Sequence, residues 1–271
     1  MIRDITIGQY YQTDSVIHRL DPRVKLMGTL VYIISLFLGR NIWLYLLATI
    51  FLAVVIKLSK VPLKFILKGL KAVVVIIALS AAFNLFLTAG EPLIKIWKIT
   101  ITKEGLILAI FMVVRLIYLI MGSSLMTLTT TPNNLTDGLE KGLGFLKVIR
   151  VPVHEIAMMM SIALRFIPIL IEETDKIMKA QTARGADFNN GNIIKRAKAM
   201  IPILVPLFIS AFRRANELAM AMEARCYHGS EGRTKMKPLK YKKRDRIAYL
   251  VMFAYLGVMI ALNIIMAGRV I

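Results

Sequence analysis

Several long apolar runs constrain this chain more than any other feature, because a chain that carries them cannot fold as an ordinary soluble domain. Residues 72–87 contain no formal charge, and nearly uncharged runs cover 24–38, 42–56, 105–128 and 247–267. The sequence is 57% hydrophobic, with a mean hydropathy of +0.66. About 20 apolar residues cross the hydrocarbon core as a helix, and terminal lysines or arginines can lengthen shorter runs. The runs predict an all-α integral membrane protein with about five transmembrane helices.

The distribution of basic residues predicts the orientation of these helices. The formal net charge is +20. Four basic residues lie at 1–25, five at 57–71 and eight at 233–246, against one, three and one in the alternate connections. Because lysine and arginine stay on the cytoplasmic side, the N-terminus is expected in the cytoplasm and the C-terminus outside the plasma membrane. The basic clusters flank apolar runs and lack interleaved aromatics, so we expect lipid rather than nucleic acid as the partner.

The same count divides the chain into three regions. We predict an N-terminal transmembrane region of four helices, a cytoplasmic region, and a basic linker with the last transmembrane helix, at residues 1–128, 129–229 and 230–271. The cytoplasmic region is predicted to hold three helices, at 135–147, 153–180 and 193–225. The first follows the membrane surface, and each of the other two has an apolar body that becomes charged towards its end.

Few residues in the chain are suited to catalysis or to metal binding. There is one cysteine, Cys226, and the three histidines lack zinc-site spacing, so no catalytic residue, metal site or cofactor is expected. A membrane-embedded lipid enzyme would need clustered ionisable groups at depth. A self-contained secondary transporter would need polar groups near the midplane, for which only Asn84, Ser123 and Ser124 are available. Both classes stay open as alternatives. Arg115 lies inside the fourth run, where it contacts a partner or a backbone carbonyl, or else snorkels to the surface.

The two long cytoplasmic helices end in similar triplets, Ala183-Arg184-Gly185 and Ala224-Arg225-Cys226. Small neighbours let a partner's backbone come close to such an arginine, whose guanidinium can bind a carboxylate with two hydrogen bonds. If the helices are antiparallel or crossed, the two arginines lie on the order of tens of Å apart and engage separate sites. An alternative stays open, in which the arginines only complement the helix dipoles and the triplets only end the helices.

With these triplets and residues 131–140, the chain resembles, over nearly its full length, the EcfT-type T component of energy-coupling factor (ECF) vitamin and metal transporters. The second triplet departs from the family's more familiar pattern, because Cys226 stands in place of glycine. The resemblance implies that the three cytoplasmic helices are coupling helices and that Arg184 and Arg225 dock in grooves of two ATP-binding-cassette (ABC) ATPase subunits. It also implies that this chain hydrolyses nothing and passes ATP-driven motion to a substrate-binding membrane S component for uptake of vitamins or other micronutrients.

Methionines on the coupling helices are expected to form an adaptable surface for the S component. The residues expected in this contact are Met158, Met159, Met200 and Met220. Ordinary helix packing is the alternative explanation for the same set.

Overall fold

A computed structural model of the chain describes residues 10–39, 41–71, 73–96, 99–186, 188, 193–229, 236 and 238–267. Most of the predicted basic linker, namely 230–235 and 237, lies outside this part. The helices are α1 (Pro22–Phe37), α2 (Ile42–Ser59), α3 (Leu63–Lys71), α4 (Val74–Leu87), α5 (Lys103–Thr129), α6 (Pro132–Gly142), α7 (Val153–Ala183), α8 (Ile193–Glu223) and α9 (Lys243–Ala267). A 3-10 helix covers Gly144–Ile149, and two short strands, β1 (Pro92–Ile96) and β2 (Ile99–Thr102), precede α5.

The prediction of an all-α membrane protein is confirmed. Among the described residues, five helices are long and apolar enough to cross a membrane, namely α2, α5, α7, α8 and α9. The predicted set differs from this one at two places. Helices α1 and α4 have 16 and 14 residues and are too short alone, although α3 and α4 together form a bent pair that is long enough. Helices α7 and α8, expected in the cytoplasm, have apolar bodies that meet the same requirement.

The connection before α5 contains an element that the sequence analysis did not predict. Strands β1 and β2 pair antiparallel, with Ile96 opposite Ile99. Isoleucine and threonine alternate in β2, and β-branched residues favour strands. The pair is a short hairpin between α4 and α5, so the helical character of the chain is unchanged.

The chain forms two compact units, one with residues 8–139 and 239–271 and the other with residues 140–238. The first unit has a buried cluster between α1, α2 and α9. Its members are Tyr32, Leu36, Leu44, Ala48, Leu52, Tyr255 and Met259. The ring of Phe51 stacks on Tyr255 at 4.2 Å between centroids, and the Tyr255 hydroxyl shares a hydrogen bond of 2.9 Å with Ser35. The aromatic stack therefore holds α2 against α9, and the buried hydrogen bond holds α1 against α9.

A single carboxylate caps two helices in this unit. Asp245, which is 1% exposed, accepts the backbone N–H of Lys242 at 2.7 Å. This contact satisfies the start of its own helix, α9, as in a capping box. Its other oxygen accepts the backbone N–H of Asp21 at 2.9 Å, and Asp21 is the N-cap of α1. Asp245 therefore ties the start of α1 to the start of α9.

The far end of α1 is closed by side chains from α5 and α9. The amide of Asn263 donates to the carbonyl of Leu38 at 2.9 Å. Arg115 donates from Nε to the Tyr45 hydroxyl at 2.9 Å, and its Nη2 lies 3.5 Å from the carbonyl oxygen of Gly39. Of the alternatives open for Arg115, the structure shows a contact within the chain at the turn between α1 and α2.

We predict that Asp245→Ala destabilises the protein by about 2 kcal/mol, because a buried N–H group of Asp21 and a partly buried one of Lys242 lose their acceptor. Thermal unfolding in detergent should shift down by about 5 °C. The matched control is Asp14→Ala, which removes an exposed ion pair with Arg19 and should leave the transition unchanged. Equal shifts in the two variants would contradict the capping role of Asp245.

Candidate functional site

The second unit is organised around α7 and α8, which run in opposite directions. Gln181, near the end of α7, donates to the carbonyl of Pro202, near the start of α8, at 3.4 Å. Glu173, earlier in α7, forms an ion pair of 3.4 Å with Arg214, later in α8. Ile203 is the one buried residue among the described residues of α8. The pair is therefore antiparallel and lightly packed, and most of its surface is open.

The turn into α7 is fixed by a polar contact. Glu140, near the end of α6, forms a hydrogen bond of 2.8 Å with Nδ1 of His154 in the first turn of α7. Both side chains are largely buried, at 11% and 15% exposed. A buried hydrogen bond is costly to lose, so Glu140 fixes the position of the first turn of α7.

The first triplet closes α7 with a Schellman motif. Arg184 is the C-cap residue, and Gly185 has a φ of +90°. The N–H of Gly185 donates to Thr182 at 2.9 Å, and that of Ala186 donates to Gln181 at 3.0 Å. This pair of hydrogen bonds defines the motif and satisfies carbonyls that the helix end leaves free.

The second triplet closes α8 with the same motif. The N–H of Cys226 donates to Glu223 at 2.9 Å, and that of Tyr227 donates to Met222 at 3.1 Å. Cys226 occupies the position of Gly185, with a φ of 55°. A side chain in this left-handed region costs about 1–2 kcal/mol. The departure from glycine therefore preserves the geometry of the helix end and adds strain.

Both arginines are accessible to a partner. Arg184 and Arg225 are exposed, as are Ala183, Gly185, Ala224 and Cys226. Within the described residues, neither guanidinium has a hydrogen bond or ion pair. Backbone N–H groups satisfy the carbonyls at both helix ends, so the arginine side chains are not needed there. Since Gln181 lies against Pro202, Arg184 is near the start of α8. From Pro202 to Arg225, at about 1.5 Å per residue, the helix axis covers about 35 Å. The two arginines therefore lie at well-separated ends of an antiparallel pair; their role as docking sites stays a prediction.

A cleft of about 670 Å³ lies beside the second arginine. Arg165 from α7 lines this cleft with Arg225, and His228 is at its edge. The remaining lining is largely apolar and includes Met158 and Met222. Two guanidinium groups beside an apolar cleft favour an acidic and partly apolar partner surface.

Helix α8 also exposes an apolar stripe, which the sequence analysis did not identify. Its residues are Ile201, Leu204, Val205, Phe208, Ile209 and Phe212, each more than half exposed. The rings of Phe208 and Phe212 lie 4.7 Å apart. Spacings of three and four residues place the whole set on one helix face. The same spacing was visible in the sequence, but it does not distinguish a buried face from an exposed one.

The four methionines expected at the S component do not form one cluster. Met159, Met200 and Met220 are more than half exposed, whereas Met158 is half-buried and lines the cleft beside Arg225. Met200 and Met220 lie near opposite ends of α8, about 30 Å apart along the axis. The α8 stripe lies between them and forms a more continuous apolar surface than the four methionines do.

The two Schellman motifs predict opposite effects of matched substitutions. Cys226→Gly should stabilise the end of α8 by about 1 kcal/mol, because glycine adopts a positive φ without steric cost. Gly185→Ala should destabilise the end of α7 by a similar amount. In Cys226→Gly, amide hydrogen exchange in the last turn of α8 should slow by about fivefold. In Gly185→Ala, exchange in the last turn of α7 should accelerate by about fivefold. Changes of the same sign in both variants would contradict the assignment of a Schellman motif to each helix end.

No group of three or more histidine, cysteine, aspartate or glutamate side chains that could hold a metal ion occurs within the described ranges. Among its described residues, this unit offers two exposed guanidinium groups, a cleft and an apolar face. Such features suit the binding of other proteins.

Comparison with known proteins gives a consistent assignment over nearly the whole chain. The family model CbiQ, described as cobalt transport protein, matches residues 13–236. The energy-coupling factor transporter transmembrane protein EcfT of Clostridium kluyveri is 57% identical over 253 residues, which cover 92% of this chain and 93% of that protein. The protein of the same name from Bacillus subtilis is 48% identical over 246 residues, covering 90% and 93%.

A third relative with this name, from Ruminiclostridium cellulolyticum, is 56% identical over 245 residues, covering 90% of this chain and 92% of its own. The range matched by the family model covers parts of both units of the structure. Both arginine triplets lie inside this range. The chain therefore belongs to the CbiQ family and is an EcfT-type T component, the multi-pass transmembrane subunit of an energy-coupling factor transporter.

Proposed function

We propose that this subunit couples two ABC ATPase subunits to a substrate-binding S component and is itself non-catalytic. The observation that carries the proposal is the repeated helix end: α7 and α8 close with the same motif, and each presents an exposed guanidinium with alanine before it. Because α7 and α8 are antiparallel, the two helix ends are about 35 Å apart along the axis of α8. One ATPase subunit binds each of them, and ATP hydrolysis takes place in those partners.

Movement of the two ATPases relative to each other would act on the two ends of the α7–α8 pair. Each helix has 31 residues, so each is about 46 Å long. Continuous backbone hydrogen bonds make such helices stiff, while Pro168, Pro202 and Pro206 inside them give defined points for bending. The pair therefore suits the transmission of a displacement over several nanometres.

The α8 stripe is the surface that we assign to the S component, with Met159, Met200 and Met220 at its margins. Six large apolar side chains that are each more than half exposed require a cover of lipid or protein. The description of the family names cobalt, while the names of the relatives name no substrate. In the proposed arrangement a separate S component binds the vitamin or other micronutrient.

We further propose that the N-terminus and helices α6, α7 and α8 lie on the cytoplasmic side of the plasma membrane, with the C-terminus outside. The support is the alternation of basic residues between connections. In this topology the transmembrane region at 1–128 and the last transmembrane helix flank the coupling region at 129–229. The apolar bodies of α7 and α8 then serve protein contacts, which explains why they resemble membrane spans in composition.

Within the part of the chain that the structure describes, Asn84 and Ser123 give the alternative functions no support. The amide of Asn84 donates to the carbonyl of Ser80 in its own helix. The hydroxyl of Ser123 donates to carbonyls of its own helix as well. These side chains are therefore used locally and do not converge on a substrate site, which a secondary transporter or a lipid enzyme would need.

We predict that Arg184→Glu or Arg225→Glu weakens assembly with the ATPase subunits by at least about thirtyfold. Reversal of a charge in a buried interfacial ion pair costs about 2–5 kcal/mol. Co-purification from membranes should show loss of the ATPases, and ATP-driven uptake should fall in parallel, while the amount of inserted T component stays constant.

The matched control is Arg213→Glu, which reverses an exposed arginine on α8 away from the helix end. It should retain both the ATPases and uptake. Normal uptake by the double variant of Arg184 and Arg225 would refute the proposed coupling route.

A separate prediction concerns the α8 stripe. Phe208→Glu should abolish co-purification of the S component, because a charge placed in an apolar contact must be desolvated without a partner. The ATPases should remain bound, since both helix ends are unchanged. Arg213→Glu serves again as the control. Loss of the ATPases together with the S component would show that the stripe and the helix ends do not act separately.

A further inference from the structure

The unit formed by residues 8–139 and 239–271 contains a cleft that the coupling function does not use. Its volume is about 420 Å³, and it opens between α1, α2, α5 and α9. Most of its lining is apolar. Representative lining residues are Val24, Phe51, Leu58, Leu125 and Val251.

The two cationic residues of the lining lie at one end of the cleft. Lys25 is in the first turn of α1, and Arg244 is in the first turn of α9. Thr129, the last residue of α5, lines the same end. Tyr32 marks the deeper part, about 10 Å further along α1. The cleft is therefore charged where four helices end and apolar towards their middle.

Both cations keep unused hydrogen-bond donors. The Lys25 ammonium donates to the carbonyls of His18 at 3.1 Å and Thr129 at 2.7 Å, which uses two of its three N–H groups. The Nε of Arg244 is buried and has no partner within the described part of the chain. A buried charged donor without an acceptor is unfavourable unless a ligand satisfies it.

The neighbouring carboxylates do not satisfy these donors. Asp21 accepts from the guanidinium and backbone N–H of Arg23. Burial alone would raise the pKa of Asp21, but these hydrogen bonds outweigh it and hold the pKa below the usual range. The two oxygens of Asp245 accept the backbone N–H groups of Asp21 and Lys242. Both acids are committed to helix ends, so the positive charge of Lys25 and Arg244 faces the cleft.

We propose that this cleft binds one anionic phospholipid, with its phosphate at Lys25 and Arg244 and the upper part of an acyl chain in the apolar portion. Charge complementarity selects the anionic headgroup. The apolar depth beyond the cations selects a lipid over a soluble anion. A bound lipid would contact all four helices at once and would join α1 and α9 on the side where Asp245 already links them.

The test is native mass spectrometry of the full-length chain in detergent, with equal amounts of phosphatidylglycerol and phosphatidylcholine. We expect one retained phosphatidylglycerol, favoured at least tenfold. Arg244→Gln should lower this retention about tenfold, and Arg244→Lys should restore part of it. The matched control is Arg246→Gln, an exposed cation two residues further along, which should leave retention unchanged.

A second variant tests the apolar portion without changing charge. A Cβ on Gly28 would meet only the Met252 sulfur, at 3.6 Å, so Gly28→Leu directs a side chain into the cleft without a backbone clash. It should abolish retention of phosphatidylglycerol while the monomer keeps its helical circular dichroism. Equal retention of the two lipids, equal losses in the Arg244 and Arg246 variants, or unchanged retention in Gly28→Leu would each overturn the proposal.

Discussion

The backbone groups at helix ends must find partners, and water cannot supply them where a helix end is buried. This requirement governs where the chain uses its specific polar side chains. Asp245 satisfies the first turns of α1 and α9. Asn263 and Arg115 meet the carbonyls that follow α1. The helix bodies between these points are largely apolar, with few polar contacts such as the hydrogen bond between Ser35 and Tyr255.

The same requirement is met differently at the ends of α7 and α8, and that difference creates the candidate site. There the backbone closes the helices itself, through the residues that follow each arginine. Arg184 and Arg225 are therefore not needed to cap carbonyls and keep all their donors for a partner. The strained φ of Cys226 is understandable in these terms, because a different closure would redirect Arg225.

The sequence was sufficient for features that depend on local chemistry, including the helical class and the helix ends at the two triplets. It was insufficient for long-range contacts: nothing near Asp245 indicates that its carboxylate reaches Asp21, which lies at the other end of the chain. Helices α7 and α8 show a further limit. A spacing of three and four residues indicates an apolar face, but the same spacing serves a protein core, a lipid contact or a partner surface. The packing in the structure is needed to choose among them, and the exposure of Phe208 shows that this face is not part of the chain's own core.

The contrast between the two units bears on how the protein works. In the unit built from α1, α2 and α9, residues such as Leu44 and Met259 are almost fully buried, so its internal arrangement is held by close packing. In the α7–α8 pair, two polar contacts and few buried residues leave most of the apolar area uncovered. Such a pair gains much of its stability from what it binds. In the proposed coupling role, the pair that follows the movement of its partners is thus the part of the chain that its own packing constrains least.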